Sequence, residues 1–246
     1  SEMCIRDSSP TASIVSWRGI DGGMKAAAMG NDAVMAPGKY CYFDGYQDAP
    51  SSQPEAIGGY LPIEMVYSFN PADSSLADSV ARHIIGVEGT LFTEYIATGD
   101  HAEYMLYPRA LALAEVAWTP QNMRDYADFR PRAVKMSGDM RQRGYNTFDL
   151  TTEIGNRPEA LSELHHLAFG KKVTYNEPWW KNYPAAGEGT LTDGLRGGWN
   201  YNDLRWQGFL TDNRKRVDVT IDLEKVQPIQ YVGADFMQIC GPDVWM

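Results

Sequence analysis

The sequence has few cysteines and few histidines, and both shortages argue against particular kinds of site. The three cysteines are odd in number and widely spaced, so they predict neither a disulfide framework nor a CxxC metal site; they are Cys4, Cys41 and Cys240. The four histidines lack the HxH or HExxH spacing of a zinc site; they are His83, His101, His165 and His166. We therefore expect no metal and no other cofactor.

Positive charge and long apolar runs are also scarce. The 246 residues include 22 Lys and Arg against 32 Asp and Glu, a formal net charge of -10. Nucleic-acid phosphates are bound by clustered Lys and Arg, so this balance argues against a nucleic-acid partner. We interpret the short basic run at 214–216 as a solvated turn. No run of about 18 apolar residues occurs, so the sequence predicts no membrane-spanning helix.

The first part of the chain alternates strand-like and helix-like segments. Strands are predicted at residues 13–19, 31–38 and 84–95, and helices at 23–30, about 73–83 and 101–118, the last interrupted by Pro108. This alternation predicts an α/β fold of parallel βα units, with functional residues at the carboxyl ends of the strands. Glu103 and Glu115 are expected to make structural bonds to Arg109 or to the backbone.

From about residue 166 the composition changes to Gly, Pro, Trp and Tyr with short alternating runs. The segments VDVTIDL at 217–223 and IQYVGADFMQI at 229–239 are typical of strands and predict an all-β module. The segment between the two parts is predicted to be a connector, helical around 158–167.

Aromatic and acidic residues follow each predicted strand of the first part. Trp17 closes the first strand, Tyr42 and Asp44 follow the second, and Phe92 and Glu94 close the third. Residues two apart in an extended segment face the same way, so each later pair offers a ring beside a carboxylate. Rings stack on the apolar faces of sugars and carboxylates accept hydrogen bonds from sugar hydroxyls, so the pattern favours a sugar pocket.

Simpler interpretations of the same residues stay open at this point. Trp17 is also compatible with an ordinary core tryptophan. Tyr42 and Asp44 are compatible with a packed aromatic loop that contains a turn-forming Asp. Glu94 is compatible with a helix-capping or surface acid.

Several motifs in series resemble one enzyme family. The segments SWRG, VMAPGKYCYFDGYQ, GVEGTLFTEY and EYMLYPRALALAEVAW resemble, in order and spacing, the carboxyl-terminal half of the catalytic domain of family 20 glycoside hydrolases, the β-N-acetylhexosaminidases. The resemblance covers about residues 13–130. From about Phe169, the run that begins GKKVTYNEPWWKNYP is similar to discoidin-type β-sandwich modules that bind carbohydrate.

The resemblance implies a (β/α)8 barrel that removes terminal N-acetylglucosamine or N-acetylgalactosamine from glycans. Such enzymes retain configuration by a substrate-assisted mechanism, in which the 2-acetamido group is the nucleophile. Trp17 then matches a wall around the acetamido methyl, and Tyr42 matches the tyrosine that binds the acetamido oxygen. Asp44 and Glu94 match acids that hold the sugar hydroxyls. Phe92 stands where the family usually has Trp, which keeps an apolar floor with a smaller area.

The resemblance also implies a partial domain. No Asp-Glu pair in an HxGGDE-type motif, the family's general acid and its partner, occurs in the sequence. We therefore expect about the last three βα units of the barrel, a chain that is inactive alone, and a truncated β-sandwich. The expected ranges are 1–148 for the barrel part, 149–167 for a partly helical linker and 168–246 for the β module.

Two other functions remain as alternatives. One is a non-catalytic carbohydrate-binding protein that uses an aromatic surface of the β module; its tryptophans are Trp179, Trp180, Trp199 and Trp206. The other is an enzyme on a similar barrel that acts on a different amide-bearing sugar. In each case the partner is an N-acetylhexosamine-containing or related glycan, and the family's role implies a location outside the cytoplasm, secreted or periplasmic.

Overall fold

The computed structural model describes Ser9 and residues 11–72, 75–210 and 216–237, and these residues form two compact units. The first unit comprises 11–48, 52–56 and 61–154, and the second comprises 49–51, 57–60 and 155–237. The expected domain ranges remain predictions. Most of the basic run at 214–216 lies outside the described residues.

The first unit alternates strands with helices. Its strands are β1 (Ile14–Ser16), β2 (Ala33–Met35) and β3 (Ile84–Val87). Its helices are α1 (Asp21–Ala28), α2 (Gly38–Cys41), α3 (Ile63–Tyr67), α4 (Asp78–Ala81), α5 (Gly99–Leu106), α6 (Arg109–Trp118) and α7 (Tyr126–Gln142). The 3-10 turns of the chain are Pro50–Ser52, Gln121–Met123, Leu150–Thr152, Pro158–Leu161 and Gly187–Thr192.

The three strands form one parallel sheet in the order β1-β2-β3. Ile14 pairs with Ala33, and Ala33 pairs with Ile84, with a register shift between Ala33 and Val34. The predicted parallel βα units are therefore confirmed for these strands. Because the strands run in one direction, their carboxyl ends meet at the same edge of the sheet.

One face of this sheet is buried and the opposite face is open. Ser16, Ala33 and Met35 are buried, and α1 packs against β1 and β2 while α6 contacts β3. Val15 and Ile85 alternate with the buried positions and are 47% and 56% exposed. The described residues thus form helices on one side of a short parallel sheet, a partial α/β arrangement.

The core of the first unit lies between the sheet and helices α3, α6 and α7. Its buried members are Met35, Cys41, Phe43, Leu61, Ile63, Val66, Tyr67, Phe69, Ala112, Leu113, Val116, Phe129, Ala133, Phe148 and Leu150. Aromatic stacking contributes, since the rings of Tyr67 and Phe129 lie 4.6 Å apart between centroids. The core therefore fixes the helices that support the carboxyl ends of the strands.

Helix boundaries differ from the expectations in three places. The predicted helix at 101–118 is two helices, α5 and α6, because Pro108 restarts it as expected. The predicted helix at 73–83 is only α4, with residues 73 and 74 outside the described ranges. The 17-residue helix α7 was not predicted, although Asp125 caps it by accepting a hydrogen bond from the backbone N–H of Ala127 at 2.9 Å.

The third strand is also shorter than predicted. It ends at Val87, not at residue 95. Thr90 then makes a single parallel bridge to Tyr42, and residues 91–95 form no regular strand. The carboxyl end of the sheet is therefore extended by one bridge, and Phe92 and Glu94 lie in the loop beyond it.

The second unit contains β4 (Val173–Tyr175) and β5 (Val219–Ile221), which pair antiparallel. The predicted strand at 217–223 is thus confirmed only at its centre. Residues 229–237 form no strand, which corrects the prediction for 229–239, and residues 238 and 239 lie outside the described ranges. The predicted helical connector is a 3-10 turn at Pro158–Leu161. Across 155–210 and 216–237 one two-stranded sheet is present, so a β-sandwich remains a prediction.

Candidate active site

Backbone hydrogen bonds hold the carboxyl ends of the three strands together. The N–H of Ala36 donates to the carbonyl of Ser16 at 2.9 Å, which joins β2 to β1. The N–H of Glu88 donates to the carbonyl of Met35 at 3.1 Å, which joins β3 to β2. Trp17 follows β1 directly, so all the predicted site residues leave the sheet from this edge.

Gly38 links the segment after β1 to the tyrosine after β2. Its N–H donates to the carbonyl of Trp17 at 3.0 Å, and its Cα faces the ring of Tyr42, because an added Cβ would lie 3.6 Å from Cγ of that ring. The Trp17 side chain is 51% exposed and the Arg18 guanidinium lies over it, 4.7 Å from the ring centroid. This exposure corrects the alternative that Trp17 is an ordinary core residue.

Tyr42 contacts the aromatic residue that follows β3. The ring centroids of Tyr42 and Phe92 are 5.7 Å apart with an interplanar angle of 66°, an edge-to-face contact. Two backbone hydrogen bonds join the segments that carry these rings. The N–H of Phe43 donates to the carbonyl of Thr90 at 2.7 Å, and the N–H of Thr90 donates to the carbonyl of Cys41 at 2.8 Å. Phe92 keeps 48% of its surface exposed, so the pair presents an open aromatic face.

The two carboxylates differ in exposure but influence each other. Asp44 is only 7% exposed, whereas Glu94 lies in an exposed turn. Burial raises the pKa of Asp44 and the charge of Glu94 raises it further, while its own backbone N–H and Arg109 lower it. Helix α5 is capped by Thr98, whose side chain accepts from the N–H of His101 at 3.1 Å, so Glu94 does not cap it.

Tyr42 is held as a neutral phenol. Burial raises its pKa, and the negative charges of Asp44 and Glu88 and the Cys41 thiol raise it further. A tyrosine whose pKa is raised keeps its proton at neutral pH and can donate a hydrogen bond. The structure thus brings Tyr42 and Phe92 into ring contact, and it places Glu94 where its charge raises the pKa of Asp44. No ring contact joins the Trp17 indole to either aromatic residue among those that the structure describes.

One buried residue beside this edge was not predicted as part of the site. Arg109 is fully buried, and its guanidinium donates to backbone carbonyls of the loop that carries Asp44. It does not pair with the glutamates considered from the sequence. Glu103 accepts from the backbone N–H of Asn146 at 2.8 Å, and Glu115 forms an ion pair with Arg132 at 2.7 Å.

The four tryptophans of the second unit that were considered from the sequence do not form one exposed surface. Trp206 is 7% exposed, and the indole N–H groups of Trp206 and Trp199 donate to backbone carbonyls at 3.0 and 2.8 Å. Trp180 packs against a neighbouring tyrosine ring, 5.2 Å between centroids. Trp179 contacts Tyr175 edge to face, and the two line a groove of about 480 Å³. Of these four tryptophans, Trp179 is the one that lines this groove, which is the feature that bears on the carbohydrate-binding alternative.

No set of three or more His, Cys, Asp or Glu side chains that could hold a metal ion occurs in the described part of the chain. Within the same ranges no helix is both long and apolar enough to cross a membrane.

Comparison with known proteins gives matches to a single enzyme family. Residues 2–121 match the model of glycosyl hydrolase family 20, catalytic domain. A "Beta-hexosaminidase" of Porphyromonas gingivalis is 46% identical over 121 residues, 49% of this chain and 16% of that protein. A "Beta-N-acetylhexosaminidase" of Cellulomonas fimi is 34% identical over 111 residues, 45% of this chain and 22% of that protein. The chain therefore spans less than a quarter of the length of these two relatives.

Solved structures agree with the sequence comparison. The exo-β-N-acetylglucosaminidase of Vibrio harveyi, as the D437A inactive mutant, superposes with a TM-score of 0.53 at 29% identity. This match covers 57% of the chain and 22% of the Vibrio protein. The same Vibrio enzyme in complex with N-acetylglucosamine gives a TM-score of 0.50 at 30% identity, over 56% of this chain and 22% of that one. Taken together, the motif order, the parallel sheet and these matches make residues 2–121 similar to the catalytic domain of glycosyl hydrolase family 20.

Proposed function

We propose that this protein acts as an exo-β-N-acetylhexosaminidase and that its first unit supplies the acetamide-binding side of the active site. The observation that carries the proposal is the contact of Tyr42 with Phe92 beside the coupled carboxylates Asp44 and Glu94, in a segment that is similar to family 20. The substrate is a glycan ending in β-linked N-acetylglucosamine or N-acetylgalactosamine. We place the protein outside the cytoplasm, where such glycans are degraded.

Each residue has a separate role in the proposed reaction. The Tyr42 hydroxyl donates to the acetamido carbonyl oxygen and aims it at the anomeric carbon. Trp17 and Phe92 offer apolar area to the acetamido methyl and the sugar ring. Asp44 and Glu94 accept hydrogen bonds from sugar hydroxyls, which are stronger when the acceptor is ionised.

In the proposed reaction the acetamido oxygen forms a bond to the anomeric carbon while the glycosidic C–O bond breaks. A carboxylic acid protonates the leaving oxygen, and water later opens the cyclic oxazolinium at the same carbon, so configuration is retained. The 246 residues contain no Asp-Glu dipeptide of the kind that supplies this acid in the family. We therefore propose that the acid comes from outside this sequence.

The acetamide requirement tests the proposal. In a form of the protein that also carries the family's Asp-Glu motif, p-nitrophenyl N-acetyl-β-D-glucosaminide or its galacto epimer should be hydrolysed. The matching p-nitrophenyl β-D-glucoside, which lacks the nucleophile, should not. Equal turnover of both substrates would refute substrate assistance. Turnover by a pure sample of the 246 residues alone would refute the proposal that the acid comes from outside this sequence.

The substitution Tyr42→Phe tests the role of the hydroxyl. Removing one donor to a developing oxygen charge typically lowers kcat by about 100- to 1,000-fold, and the same loss is expected here with a small change in KM. Tyr145→Phe is the matched control, because Tyr145 is 47% exposed and lies after α7, away from the strand ends. An unchanged kcat in Tyr42→Phe would contradict the assignment.

A carbohydrate-binding role without catalysis is the second candidate, and the groove at Tyr175 and Trp179 favours it. In this case the chain should bind immobilised glycans, and Trp179→Ala should remove that binding. Trp118→Ala is the control, because Trp118 is 88% exposed in the first unit. Binding that is unaffected by Trp179→Ala would exclude the groove.

A further inference from the structure

Arg109 donates hydrogen bonds to the loop that contains Asp44. Its side chain is fully buried, and its Nη1 donates to the carbonyl of Gly45 at 3.0 Å while its Nη2 donates to the carbonyl of Phe43. These two carbonyls belong to the residues immediately before and after Asp44. The guanidinium therefore holds the backbone on both sides of one candidate substrate-binding carboxylate.

The remaining donors of Arg109 anchor it to two other segments. Nη1 also donates to the carbonyl of Leu61 at 3.2 Å, and Nε and Nη2 donate to the carbonyl of Met105, one turn earlier in the chain. The guanidinium carbon lies 5.2 Å from the ring centroid of Phe43. Its planar fork suits several carbonyls at fixed angles, a geometry that a lysine ammonium does not reproduce.

The charge of Arg109 also acts on Asp44. Burial lowers the pKa of Arg109 to about 9, opposed by the nearby Asp44 and Tyr104, so the guanidinium remains positive at neutral pH. The other charged group acting on Asp44 is Glu94, in the loop after β3, and the charge of Asp44 in turn raises the pKa of Tyr42, two residues before it. Burial and Glu94 both raise the pKa of Asp44, whereas Arg109 lowers it. Arg109 is thus the cation that opposes protonation of Asp44.

We propose that Arg109 is a positioning residue, which holds the Phe43–Gly45 backbone and the Asp44 carboxylate in the orientation and charge state that accept a sugar hydroxyl. The inference rests on the proposed function for the role of Asp44. It goes beyond that function by giving a task to a side chain that does not touch the sugar.

A purely structural role makes different predictions, and Arg124 supplies the matched control. Arg124 also donates to two backbone carbonyls, those of Tyr67 and Phe69, at 3.2 and 2.6 Å. It makes the same kind of hydrogen bond from a partly buried position and serves a segment outside the strand ends. If Arg109 were only a structural clamp, its variants would behave like those of Arg124.

The experiment compares Arg109→Lys and Arg109→Met with Arg124→Lys and Arg124→Met. Thermal stability, kcat and KM for p-nitrophenyl N-acetyl-β-D-glucosaminide are measured between pH 4 and 8, in the form of the protein that turns over this substrate. Arg109→Lys should raise KM about tenfold through loss of charge-assisted bonds, with a smaller change in kcat. Arg109→Met should in addition move the acidic limb of kcat/KM to higher pH, because the pKa-lowering cation is gone. The Arg124 variants should lower Tm without either effect.

The double variant isolates the coupling to Asp44. In an Asp44→Asn background the titrating carboxyl is absent, so Arg109→Met should cause no further shift of the acidic limb. A shift that persists there would overturn the proposal. So would equal kinetic effects at 109 and 124, or failure of both Arg109 variants to fold when both Arg124 variants fold.

A spectroscopic readout separates this inference from the proposed function. Carbon-13 NMR of labelled aspartate carboxyls reports the Asp44 titration directly, with the signal identified by its loss in Asp44→Asn. Its midpoint should rise in Arg109→Met and remain unchanged in Arg124→Met. An unchanged midpoint in Arg109→Met overturns the positioning role even if the enzyme is active. A raised midpoint in a protein without hexosaminidase activity upholds the coupling and refutes the proposed function alone.

Discussion

The substitution Gly89→Ala offers a direct test of how tightly the strand ends are packed. An added Cβ would lie 2.8 Å from Cε2 and 3.2 Å from Cζ of Phe43, and 3.1 Å from Cδ2 of Leu113. Phe43 is 1% exposed and has the Arg109 guanidinium 5.2 Å from its ring centroid, so its ring has little room to move. We expect the methyl group to displace Phe43 and to loosen the backbone next to Asp44.

The size of the effect follows from two opposing contributions. Overpacking of a core by one methyl group typically costs about 1–3 kcal/mol. Replacing Gly by Ala also restricts the unfolded chain, which stabilises by about 0.4–1 kcal/mol. With the central value of each range, the net loss in free energy of unfolding for Gly89→Ala is about 1.3 kcal/mol. For a chain of about 150–250 residues this corresponds to a decrease in Tm of roughly 3–5 °C.

Urea unfolding followed by far-ultraviolet circular dichroism measures this loss, with Gly86→Ala as the control. Gly86 lies in β3, three residues earlier, and an added Cβ there would meet no atom within 4 Å. The control should be unchanged or slightly more stable. Equal unfolding midpoints for the two variants would refute the packing argument.

Two further predictions concern single groups of the first unit. Cys41 is fully buried, and burial raises the pKa of its thiol to about 12, so at pH 8 it has about a thousandfold less thiolate than a thiol with the ordinary pKa of 9.0. Peptide mass spectrometry should show slow iodoacetamide alkylation at Cys41 in the native protein and fast alkylation in urea, and equal rates would contradict this burial. Asp149 accepts hydrogen bonds from the N–H and the hydroxyl of Thr151, which lower its pKa. Asp149→Ala should therefore cost about 0.5–2 kcal/mol by thermal unfolding at pH 7, and Asp149→Asn less. Because the folded pKa is depressed, this advantage of Asp149 should shrink as pH falls through that value, and a constant difference down to pH 2 would argue against it.

Local patterns were sufficient to predict the presence of the three strands and the parallel direction of their pairing. The β-branched run that ends at Trp17 and the apolar run before Pro37 each gave a strand, because short apolar segments between breakers have few other stable states. The third strand was predicted too long. Beyond Val87 the pairing depends on Thr90 meeting the segment after β2, a long-range contact that local sequence does not encode.

The spacing of residues in α6 indicates that Arg109 is buried, although the composition of the chain does not. The buried positions of α6 are Arg109, Ala112, Leu113 and Val116, which follow the spacing of one helix face. An arginine on the buried face of an otherwise apolar helix must find several acceptors, since an unsatisfied buried charge is costly. Periodicity could therefore have placed it in the core. Apart from the nearby carbonyl of Met105, its partners could not be predicted, because they are backbone carbonyls of segments distant in the sequence.

Burial has opposite consequences for the two polar groups of the candidate site. It raises the pKa of Tyr42, which preserves the proton that the hydroxyl needs in order to donate. It also raises the pKa of Asp44, which works against the ionised form that accepts from a sugar hydroxyl best. A site that buries the aspartate and partly buries the tyrosine therefore needs a cation near the aspartate but not near the tyrosine. In the proposed assignment Arg109 meets this need, because its hydrogen bonds go to the carbonyls on either side of Asp44.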